Sequence, residues 1–153
     1  MKIRDFIIKT LSTFFYVGYL PFIPGTFASI AAILLFYFIK DNNSIHILLT
    51  LILIALGFLI TGRAEKIFNK KDARCIVIDE VSGMLLSLIF IPSDIKLVIM
   101  AFILFRILDA LKPLPSDRLQ NLTGSIGIMS DDIVAGLYTN IILQVVLRGL
   151  LRL

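Results

Sequence analysis

Five acidic side chains lie at the ends of apolar segments that are far apart in the sequence: Asp79, Glu80, Asp109, Asp131 and Asp132. Ionisable groups in or beside membrane segments are costly, which makes them candidates for function by default. Several carboxylates brought together repel one another unless they are protonated or neutralised, and a divalent cation neutralises them readily. Carboxylate ligands without histidine or cysteine favour Mg²⁺, Mn²⁺ or Ca²⁺ over zinc.

The first two of these acids stand inside an apolar run, where a solvated surface does not explain them. On a helix, Asp79 and Glu80 point about 100° apart, so they need not both contact one ion. A structural alternative is that they pair with Arg63 or Arg74 at the membrane edge.

Basic residues flank the third acid at helical spacing. Arg106, Asp109 and Lys112 follow one another at intervals of three, so neighbours share a helix face. One interpretation is a structural ion pair. In the functional interpretation, Arg106 and Lys112 bind a phosphate beside a metal held by Asp109, and they stabilise the charge that develops on that phosphate.

Two glycine-bearing segments lie before apolar helices and are candidates for phosphate binding. In the first, a Pro-Gly turn leads into a helix start where Thr26 and Ser29 can receive a phosphate oxygen. The alternative is an ordinary start of a membrane helix. In the second, Gly124 and Gly127 belong to a predicted loop that runs into the last apolar helix, where backbone N–H groups favour phosphate.

The composition predicts a membrane protein with a single domain over residues 1–153. Hydrophobic residues make up 58% of the chain and charged residues 17%, against about 45–50% and about 25% in soluble domains. One cysteine and one histidine exclude an internal disulfide framework and a zinc site of several imidazoles, and they argue against a Ser-His-Asp triad. Cys75 lacks the basic loop of thiol phosphatases and is interpreted as a packing residue.

The hydrophobic pattern predicts an all-α fold, a multi-helix integral membrane bundle with four or five membrane segments. An amphipathic segment at residues 1–10 is expected to be a retained interfacial helix, because prolines and a glycine interrupt the apolar run that a cleaved signal would need. The predicted apolar segments cover residues 27–39, 45–61, 76–91, 95–111 and 133–147.

Lysine and arginine placement predicts that the acidic residues face the cytoplasm, since cytoplasmic loops are enriched in both. Ten basic residues fall on the side of the N-terminus and four on the other. The first group includes Arg118. The second includes Arg148 and Arg152, which argue against the assignment unless the last helix is re-entrant or lies flat.

Four sequence blocks together resemble the phosphatidylglycerophosphatase A family. They contain the Pro-Gly-Thr turn at 24–26, the Ile-Val-x-Asp-Glu block at 76–80, the Phe-Arg-x-x-Asp-x-x-Lys-Pro-x-Pro block at 105–115, and the glycine-rich block at 124–136. The resemblance covers residues 18–138, nearly the whole chain. One departure is Ser125, which replaces the second glycine of a Gly-Gly pair and makes a positive φ costlier.

The resemblance implies an enzyme of the bacterial cytoplasmic membrane that hydrolyses the terminal phosphate of phosphatidylglycerophosphate with Mg²⁺. It implies a Mg²⁺ site formed by the five acids, with Arg106 and Lys112 near the phosphate. The Asp79/Glu80 or Asp131/Asp132 pair would supply the general base, and an aspartyl-phosphate intermediate stays open.

The expected partner is the phospholipid substrate and not a nucleic acid, while homo-oligomers, the number of metal ions and full crossing by the last segment stay open. Two other functions compete with the phosphatase. One is a small carrier or channel for divalent cations, which should hold its acids at the membrane midplane. The other is a non-catalytic lipid-binding subunit.

Overall fold

The computed structural model describes residues 2–115, 119 and 122–150, and in these residues the chain is helical and has no β-strand. This confirms the predicted all-α class. The helices are α1 (Ile3–Ser12), a short 3-10 helix (Val17–Tyr19), α2 (Pro24–Ile39), α3 (Asn43–Phe68), α4 (Ile78–Ser87), α5 (Ile95–Leu111) and α6 (Ser125–Leu150).

Helix α4 forms the centre of the bundle and contacts α2, α3, α5 and α6. Its side chains Val81, Met84 and Leu85 are fully buried in the main hydrophobic core. A helix that is surrounded by protein is apolar on most sides, which is why the sequence of α4 resembles that of a membrane segment. With ten residues, however, α4 is too short to cross a bilayer.

Two glycines let α4 and α6 approach each other closely. A Cβ atom added at Gly136 would overlap the carbonyl group of Gly83, and one added at Gly83 would lie 2.6 Å from the carbonyl oxygen of Asp132. Small residues permit such close helix contacts in membrane proteins. The crossing therefore brings the start of α4, with Asp79 and Glu80, next to Asp132 on α6.

Side chains from neighbouring helices satisfy the backbone where α4 ends inside the protein. The Asn140 amide donates hydrogen bonds to the carbonyl oxygens of Ser87 (3.1 Å) and Ile89 (2.7 Å). The buried ring of His46 places its Nε2 atom 3.0 Å from the carbonyl oxygen of Leu85. Because the last carbonyls of a helix have no partner within the helix, these contacts stabilise its end.

Among the described residues, two helices are long and apolar enough to cross a membrane: Asn43–Phe68 and Ser125–Gly149. Pro24–Ile39 is a shorter apolar helix. Both long helices expose apolar side chains, such as Leu48, Leu59 and Val145. The expectation of four or five membrane segments is thus supported for two helices, and the larger number stays a prediction.

Two predicted boundaries were wrong. Helix α3 continues into the expected basic loop at residues 62–74 as far as Phe68, and Asn69 ends it in the left-handed conformation with φ 50°. Helix α6 begins at Ser125, so the expected glycine-bearing loop up to residue 132 is already helical. Of the basic residues used to predict topology, Arg118 and Arg152 lie outside the described residues.

Helix α1 is amphipathic, as predicted for an interfacial helix. Ile3, Phe6 and Ile7 are exposed, while Ile8 and Ser12 are buried against the bundle. Its position on a membrane stays a prediction. An ion pair joins α1 to α3, where Arg63 Nη2 lies 3.3 Å from Asp5 Oδ1. Arg63 therefore does not take the alternative role of partner to Asp79 and Glu80.

Candidate active site

A cavity of about 350 Å³ opens at the end of the bundle where α4 and α6 begin and α5 ends. The start of α2 and the segment that precedes α4 complete its wall. The structure brings together all five predicted acids and both predicted phosphate-binding cations in this wall: Asp79, Glu80, Asp109, Asp131, Asp132, Arg106 and Lys112.

Three of the carboxylates form a compact group. Asp79, Glu80 and Asp132 each offer an oxygen within 4.8 Å of the others, although they come from two different helices. Asp79 and Asp132 are buried. One buried oxygen of each of the three carboxylates lacks a hydrogen-bond partner: Asp79 Oδ1, Glu80 Oε2 and Asp132 Oδ1.

Such a group fits a hard divalent cation. Buried carboxylate oxygens without partners are costly, and Mg²⁺ and Ca²⁺ prefer oxygen ligands of this kind. Without a cation, burial and the neighbouring Glu80 raise the pKa of Asp79 well above its usual range. Burial likewise raises the pKa of Glu80, against the lowering effects of its hydrogen bond with Asp79 and of nearby Arg106.

The other two predicted acids, Asp109 and Asp131, pair with the two predicted phosphate-binding cations, Arg106 and Lys112. Arg106 Nη1 lies 2.9 Å from Asp109 Oδ2, an ion pair at the predicted spacing of three. Lys112 Nζ lies 2.7 Å from Asp131 Oδ2 on α6. Burial alone would lower the pKa of Lys112, but its hydrogen bond to Asp131 and the surrounding carboxylates raise it. Lys112 is therefore held charged, and both cations lie beside the three-carboxylate group.

The start of α2 reaches the cavity through Gly25. A Cβ atom at this position would overlap Glu80 Oε1 and lie 3.3 Å from Arg106 Nη1. Thr26 lines the cavity, and its contact with a phosphate stays a prediction. Ser29 does not line it: its hydroxyl is buried and donates a hydrogen bond to the Gly25 carbonyl oxygen at 2.9 Å.

The predicted glycines line an adjoining cavity of about 390 Å³, which shares Asp131 with the first. Gly124 has φ +69° and ends the connection before α6, whereas Gly127 is already helical. Ser125, where the family pattern has glycine, begins the helix. Its hydroxyl accepts a hydrogen bond from the Gly62 N–H group at 2.8 Å, so the substitution joins α6 to α3.

Sequence reasoning did not identify two charged residues of the cavity wall as site residues: Asp72 was not singled out, and Arg74 was considered only as a structural partner for Asp79 and Glu80. The Asp72 N–H group donates a hydrogen bond to Glu65 Oε1 at 2.8 Å, which ties this segment to the end of α3. Both residues belong to a stretch with many charges and no periodicity. Nothing in that stretch separates a cavity residue from an ordinary loop residue.

Comparison with known proteins gives a consistent result. A relative from Bacteroides thetaiotaomicron, named putative phosphatidylinositol-3-phosphatase, is 32% identical over 95% of this chain and 96% of its own length. Phosphatidylglycerophosphatase A of Escherichia coli (strain K12) is 37% identical over 82% of this chain and 75% of its own length. The protein of the same name from Haemophilus influenzae is 32% identical over 88% of this chain and 85% of its own length. No solved structure matches the chain.

The family comparison covers the whole site. The model of the phosphatidylglycerophosphatase A family matches residues 10–147, which include every acidic and basic residue of the cavity wall. The matched region runs from the end of α1 into the second half of α6. The chain belongs to the phosphatidylglycerophosphatase A family.

Proposed function

We propose that the protein hydrolyses the terminal phosphate of phosphatidylglycerophosphate in a Mg²⁺-dependent reaction and releases phosphatidylglycerol and inorganic phosphate. One observation carries the proposal. Carboxylates from three helices, two cations and a helix start converge on one cavity in a chain of this family.

Asp79, Glu80 and Asp132 are the residues that would hold the metal, because each offers an oxygen within 4.8 Å of the others and each has a buried oxygen without a hydrogen-bond partner. A bound Mg²⁺ ion supplies charge neutralisation at the phosphate and activation of water. Arg106 and Lys112, held in place by Asp109 and Asp131, offer their remaining N–H groups to phosphate oxygens. Asp131 borders the three-carboxylate group, and we assign it as the base that accepts a proton from water.

We further propose that the protein is a multi-pass protein of the bacterial inner membrane with its site at the cytoplasmic face. Two long apolar helices and their exposed apolar side chains support a membrane location. The excess of lysine and arginine on the side of the N-terminus supports the orientation. A site at this interface would reach a lipid headgroup while the acyl chains stay in the bilayer.

A second candidate substrate is a phosphatidylinositol phosphate. The relative named putative phosphatidylinositol-3-phosphatase aligns with almost the full length of this chain. Both lipids carry a phosphomonoester on a headgroup alcohol, so the same cavity chemistry serves either. The carrier alternative is less well supported, because the acids lie together at one end of the bundle and not near the middle, as a transport site would require.

The test is phosphate release in detergent micelles from phosphatidylglycerophosphate and from phosphatidylinositol 3-phosphate, with Mg²⁺ or with EDTA. We expect release from the first lipid that needs Mg²⁺ and falls at least 100-fold in Asp131→Asn, the scale of loss when a general base is removed. The control is Asp41→Asn, which removes an exposed carboxylate at the opposite end of α2.

Three results would argue against it. Release in EDTA at the full rate would remove the metal mechanism. Faster release from the inositol lipid would assign the second substrate. Absence of release from either lipid, with Mg²⁺ flux through proteoliposomes, would favour the carrier.

A further inference from the structure

Among the residues that the structure describes, three basic side chains line the main cavity: Arg74, Arg106 and Lys112. Arg106 and Lys112 are each paired with a carboxylate. In the part of the chain that the structure describes, Arg74 forms neither an ion pair nor a side-chain hydrogen bond. An exposed guanidinium that borders a cavity is free to bind an anion that enters from outside.

Neighbouring residues anchor the backbone around Arg74, whereas its side chain forms no ion pair or hydrogen bond with the described residues. Gly18 packs so tightly on the Cys75 carbonyl group that an added Cβ atom would overlap it. The Val77 N–H group donates a hydrogen bond to the Ser12 carbonyl oxygen at 2.9 Å, and Ile76 N–H donates to Ala73 at 2.7 Å. The guanidinium thus extends from an anchored base between α1 and α4, which reduces the entropy lost when it binds a ligand.

A further cavity of about 450 Å³ adjoins the main cavity on this side. The two cavities share Phe22, Pro24 and Arg74, so Arg74 lies at their junction. The wall of the adjoining cavity also contains Lys70 and the aromatic side chain of Tyr19. Its rim is apolar, because Tyr19 and Leu20 are about half exposed and Phe22 is 94% exposed.

The charges of the two cavities differ. Carboxylates dominate the main cavity, where only a metal-bound phosphate would avoid repulsion. Of the described residues, Lys70 and Arg74 line the adjoining cavity and no acidic residue does. A lipid with two phosphates would therefore place its phosphomonoester among the carboxylates and its other phosphate toward Arg74.

We propose that Arg74 is a specificity-determining residue that binds the phosphodiester of the lipid substrate, at the junction between the catalytic cavity and an apolar rim that contacts the glycerol and acyl chains. This inference rests on the proposed function. The site would select phosphomonoesters on a headgroup that is joined to diacylglycerol by a phosphodiester. It would not favour phosphatidic acid, whose single phosphate is attached directly to diacylglycerol.

The experiment measures inhibition of phosphate release from phosphatidylglycerophosphate by two compounds. Phosphatidylglycerol carries only the phosphodiester, and inorganic phosphate resembles only the group that is removed. In Arg74→Gln, we expect the inhibition constant of phosphatidylglycerol to rise about tenfold, the effect of one charge-assisted contact. The inhibition constant of inorganic phosphate should stay within about twofold, and kcat/KM should fall chiefly through a higher KM.

Two variants serve as comparisons. Arg74→Lys keeps the charge without the bidentate hydrogen bonding of arginine. Its inhibition constant for phosphatidylglycerol should therefore lie between those of wild type and Arg74→Gln. Lys66→Gln removes an exposed cation at the end of α3 that lines neither cavity, and it should behave as wild type.

Equal weakening of both inhibitors in Arg74→Gln, or weakening of neither, would overturn the inference while the hydrolase function stands. A wild-type protein that releases no phosphate from the lipid would instead refute the proposed function, and the inference would fall with it.

Discussion

Replacing Gly25 by alanine tests whether Glu80 binds the metal. The added methyl group would overlap Glu80 Oε1 and lie 3.1 Å from its carboxyl carbon, so the carboxylate must move. Helix α2 itself would gain from the change, because alanine favours a helix by about 1 kcal/mol over glycine. A loss of activity in this variant can therefore be attributed to the displaced carboxylate of the three-carboxylate group and not to unfolding.

The expected effect of Gly25→Ala on Mg²⁺ binding follows from the free-energy cost of overpacking. Inserting a methyl group into a tightly packed site costs about 1–3 kcal/mol. If this strain falls on the metal ligand, the Mg²⁺ concentration for half-maximal activity rises about 5- to 140-fold, since about 1.4 kcal/mol corresponds to a factor of ten.

The assay is a Mg²⁺ titration of phosphate release, combined with thermal unfolding in the same detergent. Gly149→Ala is the matched control, because no atom lies within 4 Å of a Cβ built at that helical position. Its Mg²⁺ dependence should equal that of wild type. A Gly25→Ala protein that folds normally and keeps the wild-type Mg²⁺ dependence would refute a ligand role for Glu80.

Two further predictions concern stability. Gly136→Ala places a methyl group against the Gly83 backbone, which cannot rotate away as a side chain can. We therefore expect the free energy of unfolding to fall by about 1–3 kcal/mol. The measurement is a denaturant titration, with Gly149→Ala as the control. An unchanged midpoint would mean that the helices move apart freely. Burial raises the pKa values of Asp79 and Glu80 in the folded protein. Without metal, and at pH values between their ordinary pKa values in the unfolded chain and the raised ones, the folded state therefore binds more protons than the unfolded state. Stability in EDTA should therefore fall as pH rises from about 4 towards neutrality, and Mg²⁺ should remove this dependence, as melting curves at several pH values would reveal. A melting temperature in EDTA that rises over that range would contradict the assignment.

The sequence predicted the contents of the site better than the shape of the bundle. Arg106 and Asp109 pair as their spacing indicated, because an i, i+3 contact depends only on the local helix. The partner of Lys112 could not be predicted in this way. Lys112 ends α5 with φ 47°, which directs the chain out of the helix, and its ammonium group contacts Asp131 nineteen positions later.

Membrane segments were harder to predict, because an apolar run does not reveal what surrounds it. The run at 76–91 has the composition of a membrane span, yet α4 occupies only ten of its residues and is enclosed by four other helices. The start of α6 was misplaced because polar Ser130, Asp131 and Asp132 resemble a loop. In the structure all three residues are helical, and Asp131 and Asp132 line the cavity, where function and not solvent explains their polarity.

The contact between Gly83 and Gly136 also limits how this protein can change. In most cores, a larger side chain on one helix is tolerated once a smaller one appears on the facing helix. Here both positions already hold the smallest residue, and backbone lies against backbone, so no compensating substitution exists. Any enlargement must be absorbed by tilting α4 or α6, which carry Asp79 and Asp132. Attempts to redesign the cavity of this enzyme should therefore keep the crossing intact and vary the wall contributed by α2 and the segment before α4.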